Sequence, residues 1–409
     1  MTRSATADQR TLLLTGATGF LGSHLALAFL GCGYRLKILA RSRGAGSELR
    51  LKRVLDAIQP TPLLSYLLSG QLELVQGDVT ARHLGLSART VLRLAAEVTD
   101  VVQCAAIVSF DPLKAGELQQ VNVEGTRNVL EFAELGQGAT FHYVSTAFVA
   151  GRRRGPVQES DLDGAAGFNN AYEESKFLAE LEVRKAMADG LPAVVYRPSI
   201  LVGDSRTGQT QSFIGFYILL RSLELVALRA RRLLERKPTQ AAADGVMVGD
   251  GWITVPLRVQ GSESKTLNII PVDYAVRAIQ AIFQDPDSLG KTFHVVNPAP
   301  PTIGRLRDWM CAALGMRGVR LVSADEFARR PVNRLEHLFA KSTEEYGAYL
   351  GGEEPAFQAD DTLKVIRREE IPQPCTDADF ICRLVEYCQA SRWGKRRVKV
   401  PVGQPTPSR

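Results

Sequence analysis

A short apolar run, Thr11–Leu14, ends in TGATGFLG and passes directly into a helical pattern that reaches about Leu30. Few local features restrict a fold as strongly. The glycines Gly16, Gly19 and Gly22 sit where a buried strand must turn sharply into a helix. Glycine removes the Cβ that would block a pyrophosphate, and the helix N-terminus attracts its charge. Thr18, Phe20 and Leu21 lie on the same turn and are expected cofactor contacts with the glycines.

The strand–helix rhythm then repeats. Short apolar runs at Leu36–Ala40, Leu72–Val75, Val101–Cys104, Thr140–Val144 and Ala193–Tyr196 alternate with helical patterns. Those patterns cover Ser47–Ile58, a Ser87-capped segment to Glu97, Leu118–Leu135 and Tyr172–Met187. Strands apolar on both faces, separated by helices, predict an α/β fold with a doubly wound parallel sheet, a Rossmann arrangement. This dinucleotide-binding domain is expected to cover residues 1–202, with 267–297 returning to it as a strand, a helix and a strand. Residues 203–266 and 298–390 are less regular and mostly helical, and are expected to form a smaller substrate-binding domain. Arg392–Arg409 carries six basic and no acidic side chains, and 391–409 is expected to be a disordered tail.

The end of the second strand discriminates between nicotinamide cofactors. An acid there would hold a free ribose 2′-hydroxyl. Instead Ala40 is followed by Arg41, Ser42 and Arg43. Two guanidinium forks suit a 2′-phosphate, so NADPH is expected over NADH. Asp78 and Val79 end the third strand, where the adenine would lie, and Ala105 and Ala106 follow the fourth, where small side chains let a cofactor pass.

Tyr172 and Lys176 stand four residues apart on one helical face. An ammonium beside a phenol favours the phenolate, so the pair is expected to move a proton to or from a substrate oxygen near neutral pH. The fifth strand ends in Ser145 and Thr146, and a hydroxyl there can polarise a carbonyl. Thr146 is the expected catalytic hydroxyl, with Ser145 as the alternate.

Composition excludes several classes. The six cysteines form no CxxC pair and have no zinc-site spacing, so no metal is expected. No apolar run has the length of a signal peptide or a membrane span, and a cytoplasmic protein is expected, with peripheral membrane contact left open. Net charge is +6, and Arg221–Lys237 holds six basic and two acidic side chains. The basic tail has a single aromatic, Trp393, so nucleic acid is not expected as a partner.

The pieces TGATGFLGSHL, GDVT, NVEGTRNVL, YVSTAFVAG, YEESK and YRPSI resemble the extended short-chain dehydrogenase/reductase family over about residues 11–203, with LNIIPVDYAVRAI adding a later match. AAIVSFDPL, NAYEESKFLAE, RPSILVGDSRTG and IIPVDY resemble its fatty acyl-CoA reductase and thioester reductase branch, the male sterility domain. The resemblance implies a Thr/Ser–Tyr–Lys site and NADPH. It implies that Asn122 supports the lysine through water, and that Arg197, Pro198 and Ser199 contact the nicotinamide end. The implied reaction is reduction of an acyl thioester, held on coenzyme A or an acidic carrier protein, to an aldehyde. Further reduction to the alcohol and a homodimer are left open. The branch commonly has His where this chain has Gln103. A sugar nucleotide or a sterol-like molecule is the alternative substrate class, since an epimerase, dehydratase or dehydrogenase would share every cofactor motif. A non-catalytic NADP(H)-binding protein is the other alternative.

Overall fold

A computed structural model of the chain describes residues 10–41, 46–136, 138–351, 355–396 and 398. The strands are β1 (Thr11–Thr15), β2 (Arg35–Ala40), β3 (Leu72–Gln76), β4 (Asp100–Gln103), β5 (Thr140–Val144), β6 (Pro156–Val157) and β7 (Ala193–Pro198). They continue with β8 (Ile200–Val202), β9 (Met247–Gly249), β10 (Trp252–Gln260), β11 (Ile269–Pro271), β12 (Thr292–Val295), β13 (Met316–Val322) and β14 (Ala356–Phe357). Seven of them form one sheet in the order β12-β7-β5-β4-β1-β2-β3. Every pairing in it is parallel. The chain runs outward from β1 to β3, then crosses back to β4, so the strand order reverses between β1 and β4. A crevice opens at the carboxyl ends of strands at such a reversal.

The strands are apolar on both faces because each face meets a separate core. Leu12 and Leu14 pack into one cluster and Leu13 into another. Val194 and Tyr196 face the first cluster, while Ala193 and Val195 face the second. The two-residue period of a strand divides its side chains in this way. Helices α1 (Phe20–Gly31), α2 (Ser47–Ile58), α3 (Leu63–Leu68) and α4 (Ala88–Glu97) connect the first strands. Ser87 caps α4 by accepting from the Thr90 N–H.

The expected single helix over Leu118–Leu135 is interrupted. Its segments are α5 (Ala115–Leu118), a π-helical stretch at Gln119–Glu124 and α6 (Gly125–Leu135). Asn122 lies in the wide turn and ties it to the loop after β4, accepting from the Ile107 N–H (2.8 Å) and donating to the Ile107 carbonyl (3.0 Å). Such π-turns concentrate at functional sites. The next helices are α7 (Ala171–Ala188), capped by Asn170, and α8 (Phe216–Arg236).

A second core gathers α8, β10, and the helices Ile303–Ala313 and Ala378–Ala390. β13 pairs parallel with β10 inside a stretch expected to be helical. Its sequence MRGVRLV breaks its apolar residues with two arginines and a glycine and does not alternate cleanly, so only the pairing with β10 reveals it as a strand. Two boundaries also differ from expectation. The helix Asp360–Arg368 packs Val365 and Ile366 onto the sheet's core rather than the second one. The backbone stays ordered past residue 391: Trp393 donates to Glu224 (2.6 Å) and lies edge-on to Phe213. Most of the remaining tail lies outside the described residues.

Candidate active site

Two adjoining cavities follow the carboxyl edge of the sheet. One, of about 210 Å³, is bordered by Gly16, Thr18, Gly19, Arg41, Asp78, Val79, Ala105 and Ala106. The other, of about 240 Å³, is bordered by Gly16, Gly19, Phe20, Leu21 and Gly22 at one end and by Thr146, Tyr172, Lys176, Pro198 and Ser199 beyond them. Gly16, Gly19, Cys104 and Ala106 line both, so the cavities form one elongated cleft. Arg50 of α2 joins Arg41 at its far end and was not foreseen, because a helical arginine has no local signature.

The turn is built for close approach. Gly16 has φ +72°, and a Cβ there would lie 2.7 Å from the Ala105 nitrogen. A Cβ on Gly22 would lie 2.3 Å from the Gly16 carbonyl oxygen. Neither position admits another residue, and the Gly19 N–H closes the turn onto the Gly16 carbonyl at 2.8 Å. Opposite it, Thr15 Oγ1 accepts from the Cys104 and Ala105 N–H groups (3.1 and 3.0 Å) and donates to Gln103 Oε1 at 2.6 Å. Gln103, the departure from the branch pattern, therefore helps to hold the alanine loop against the glycine turn. The Ser199 hydroxyl is buried on the cavity wall with no hydrogen-bond partner among the described residues. A cradle without Cβ atoms, a helix N-terminus and an orphaned hydroxyl fit a dinucleotide.

Strand β5 and helix α7 meet at the other end. Thr146 caps the short 3-10 turn after β5 and its hydroxyl is hydrogen-bonded with Tyr172. Burial pushes the Tyr172 phenol well above its usual range, and the Thr146 hydrogen bond offsets only part of that. This reverses the expected lowering. Lys176 reaches the sheet rather than the phenol, donating to Tyr143 Oη (2.8 Å) and to the Val144 carbonyl (2.7 Å). Burial brings the Lys176 ammonium down to about 8. Tyr172 is accordingly a protonated phenol at neutral pH.

Four expected residues are placed elsewhere or fall outside the description. The Arg197 guanidinium borders neither cavity. It is fully buried and paired with Glu180 at 2.6 Å, and it donates to the Glu159 and Asp161 carbonyls. A charged group that enters the interior needs its counter-charge there, which takes Arg197 away from the cleft. Burial alone would raise the Glu180 carboxyl, but Arg197 and Ser145 carry it below the usual range. Ser145, the alternate hydroxyl, is committed to Glu180 at 2.6 Å. Asn122 borders neither cavity, and its side-chain amide donates to Ser175 Oγ (2.9 Å). Arg43 lies outside the described residues.

The rest of the larger cavity is apolar and was largely invisible in sequence. Phe110 stacks on Tyr349 (centroids 5.4 Å apart) and tilts against Tyr346 (4.9 Å) and Tyr172 (6.1 Å). Ile214, Phe216 and Leu219, at the start of α8, close one side. Tyr349 donates to Glu173 Oε1 at 2.6 Å, which ties the C-terminal region to the residue beside Tyr172. Lys176 is the one charged side chain of this cavity among the described residues. No group of three or more metal-ligating side chains occurs among them either.

Fold and cleft together define a dinucleotide-binding domain of the extended short-chain dehydrogenase/reductase type. The chain belongs to the male sterility protein family of NAD-binding domains, whose model matches residues 14–279. It is 26% identical, over 94% of its length, to a linear gramicidin synthase chain of Brevibacillus parabrevis. It is 30% identical, over 74% of its length, to the carboxylic acid reductase of Mycobacterium tuberculosis. The matched regions span 7% and 26% of those two proteins. Among solved structures it resembles the terminal R domain of the myxalamid biosynthetic pathway (TM-score 0.75, 26% identity, 96% of this chain and 94% of that one). A thiolation-reductase di-domain of an archaeal non-ribosomal peptide synthetase shares the fold (TM-score 0.72, 19% identity, 96% and 77%).

Proposed function

We propose that this protein is an NADPH-dependent reductase that converts an acyl thioester to an aldehyde. The observation that carries the reading is the grouping of Thr146, Tyr172 and Lys176 where the glycine-turn cleft opens into an apolar, aromatic-walled cavity. A polar end at the cofactor and a dry remainder suit a reactive carbonyl with an apolar acyl group behind it. The relatives add support, being a carboxylic acid reductase and a linear gramicidin synthase. Arg41 and Arg50 at the far end of the cleft favour a 2′-phosphate, hence NADPH.

Bound NADPH would supply the hydride to the carbonyl carbon. Thr146 and Tyr172, hydrogen-bonded to each other, would hold the developing oxyanion. Tyr172 gives its phenolic proton to that oxygen, and the ammonium of Lys176 stabilises the phenolate left behind. The resulting hemithioacetal loses its thiol and leaves the aldehyde. The exposed arginines Arg229, Arg232 and Arg236 on α8 offer a positive surface for the phosphates of coenzyme A or an acidic carrier protein.

The test is NADPH oxidation followed by absorbance with a panel of acyl-CoA thioesters, a carrier-bound acyl thioester and the matching aldehydes. Consumption with a thioester, matched by aldehyde formation, is expected. Silence across the panel, with NADPH binding intact, would move the assignment to a sugar-nucleotide or sterol substrate.

A further inference from the structure

We infer that Tyr143 is the positioning residue for Lys176, its buried hydroxyl fixing where the ammonium stands between β5 and the cavity. The inference rests on the role proposed above for Lys176.

An ammonium carries three N–H donors. Two of them are taken on the sheet side, by Tyr143 Oη at 2.8 Å and the Val144 carbonyl at 2.7 Å. The ammonium also stands 4.3 Å from the centroid of the Tyr143 ring. The third donor is left for the cavity that Lys176 borders beside Tyr172. The Tyr143 oxygen accepts from the lysine, and the Thr126 hydroxyl stands beside it. Thr126 in turn donates to the Asn122 carbonyl at 2.7 Å. Gln103 Nε2 reaches Thr126 Oγ1 at 3.4 Å, and Gln103 Oε1 accepts from Thr15. Tyr143, Thr126, Asn122 and Gln103 are each at most 1% exposed.

In a buried, water-excluded setting the bond from the ammonium to the Tyr143 oxygen is electrostatically stronger than it would be in water. The groups that face Lys176 are Cys104 from the loop after β4, Tyr143 from β5, and Tyr172 and Glu180 from its own helix. Glu180 is matched by Arg197, so Tyr143 is the partner whose loss the ammonium would feel directly.

Tyr143→Phe keeps the ring and removes the hydroxyl. The Lys176 titration is read by NMR in protein labelled with ζ-¹⁵N lysine, with NADPH bound, and turnover is followed across pH. We expect the Lys176 midpoint to fall by about one pH unit and the alkaline limb of kcat to fall with it. Turnover at pH 8 drops about fivefold, while the thioester KM changes little. Thr126→Val moves the midpoint the same way by less, and the double variant goes no further than Tyr143→Phe alone, because the two act in series. Midpoints that stay in place in both variants overturn the inference. A midpoint that falls while no thioester is reduced refutes the reductase reading and leaves the positioning role standing.

Discussion

Removing the carboxylate of Glu180 tests the correction made for Arg197. Glu180 is fully buried and accepts from Arg197 Nη2 at 2.6 Å, Arg197 Nε at 3.1 Å and Ser145 Oγ at 2.6 Å. Glu180→Gln leaves the Arg197 guanidinium buried with only carbonyl oxygens and the His294 ring beside it. Breaking a buried pair by removing one partner costs about 3–5 kcal/mol, because the other charge stays uncompensated. A cooperative unit of 409 residues carries an unfolding entropy of about 0.9 kcal/mol per kelvin. A loss of about 4 kcal/mol thus lowers the melting midpoint by roughly 5 °C. Arg197→Met should cost a similar amount, and Arg197→Met with Glu180→Gln less than the sum, since the one charge left without its partner is then Arg184, 3.5 Å from Glu180 but partly exposed. The assay is thermal unfolding of the four proteins, with the NADPH dissociation constant measured on each at a permissive temperature. Melting points within a degree of the parent, together with an Arg197→Met protein that binds NADPH much more weakly, would refute the structural role and return Arg197 to the cofactor.

Other perturbations separate the groups of the cleft. Tyr172→Phe removes the proton donor, so turnover should fall by about 10²–10⁴-fold while NADPH affinity stays close to the parent's; retained turnover in stopped assays would exclude Tyr172 as the acid. Lys176 is lowered to about 8 by burial, so turnover should decline above about pH 8 as the ammonium is lost. Stability moves the opposite way: between pH 8 and the ordinary lysine range the unfolded chain holds a proton that the folded chain has released, so this group favours folding more as pH rises, which thermal melts across that window would read. Arg41→Ala should weaken NADPH binding roughly tenfold and leave NADH nearly unchanged, as fluorescence titration with both would show. An acyl thioester bearing a 2-amino group should be reduced roughly a hundredfold less efficiently than its unsubstituted counterpart, since no carboxylate borders the larger cavity among the described residues.

Much of this protein was legible along the chain because the relevant physics is local. The glycine turn, the strand–helix rhythm and the Tyr172–Lys176 spacing all depend on backbone freedom or on periodicity within a few residues. Those features determined the doubly wound sheet, its cleft and two of the side chains proposed as catalytic. What the tertiary structure decided involves charge and contact across long separations. Whether Arg197 meets a cofactor or a carboxylate depends on Glu180, on a different element, and burial forces that pairing. Whether Lys176 faces Tyr172 or Tyr143 depends on how α7 lies on β5. The aromatic wall of Phe110, Tyr346 and Tyr349 joins residues more than 200 positions apart, and no local pattern distinguishes those rings from ordinary core. β13 was missed for the same reason, since a strand that alternates weakly is identified by the neighbour it bonds, and β10 lies over fifty residues upstream. Local sequence determined which residues could form the cleft, while long-range packing chose which charges and hydroxyls face into it, because burying a polar group is tolerable only where a distant partner has been brought to meet it.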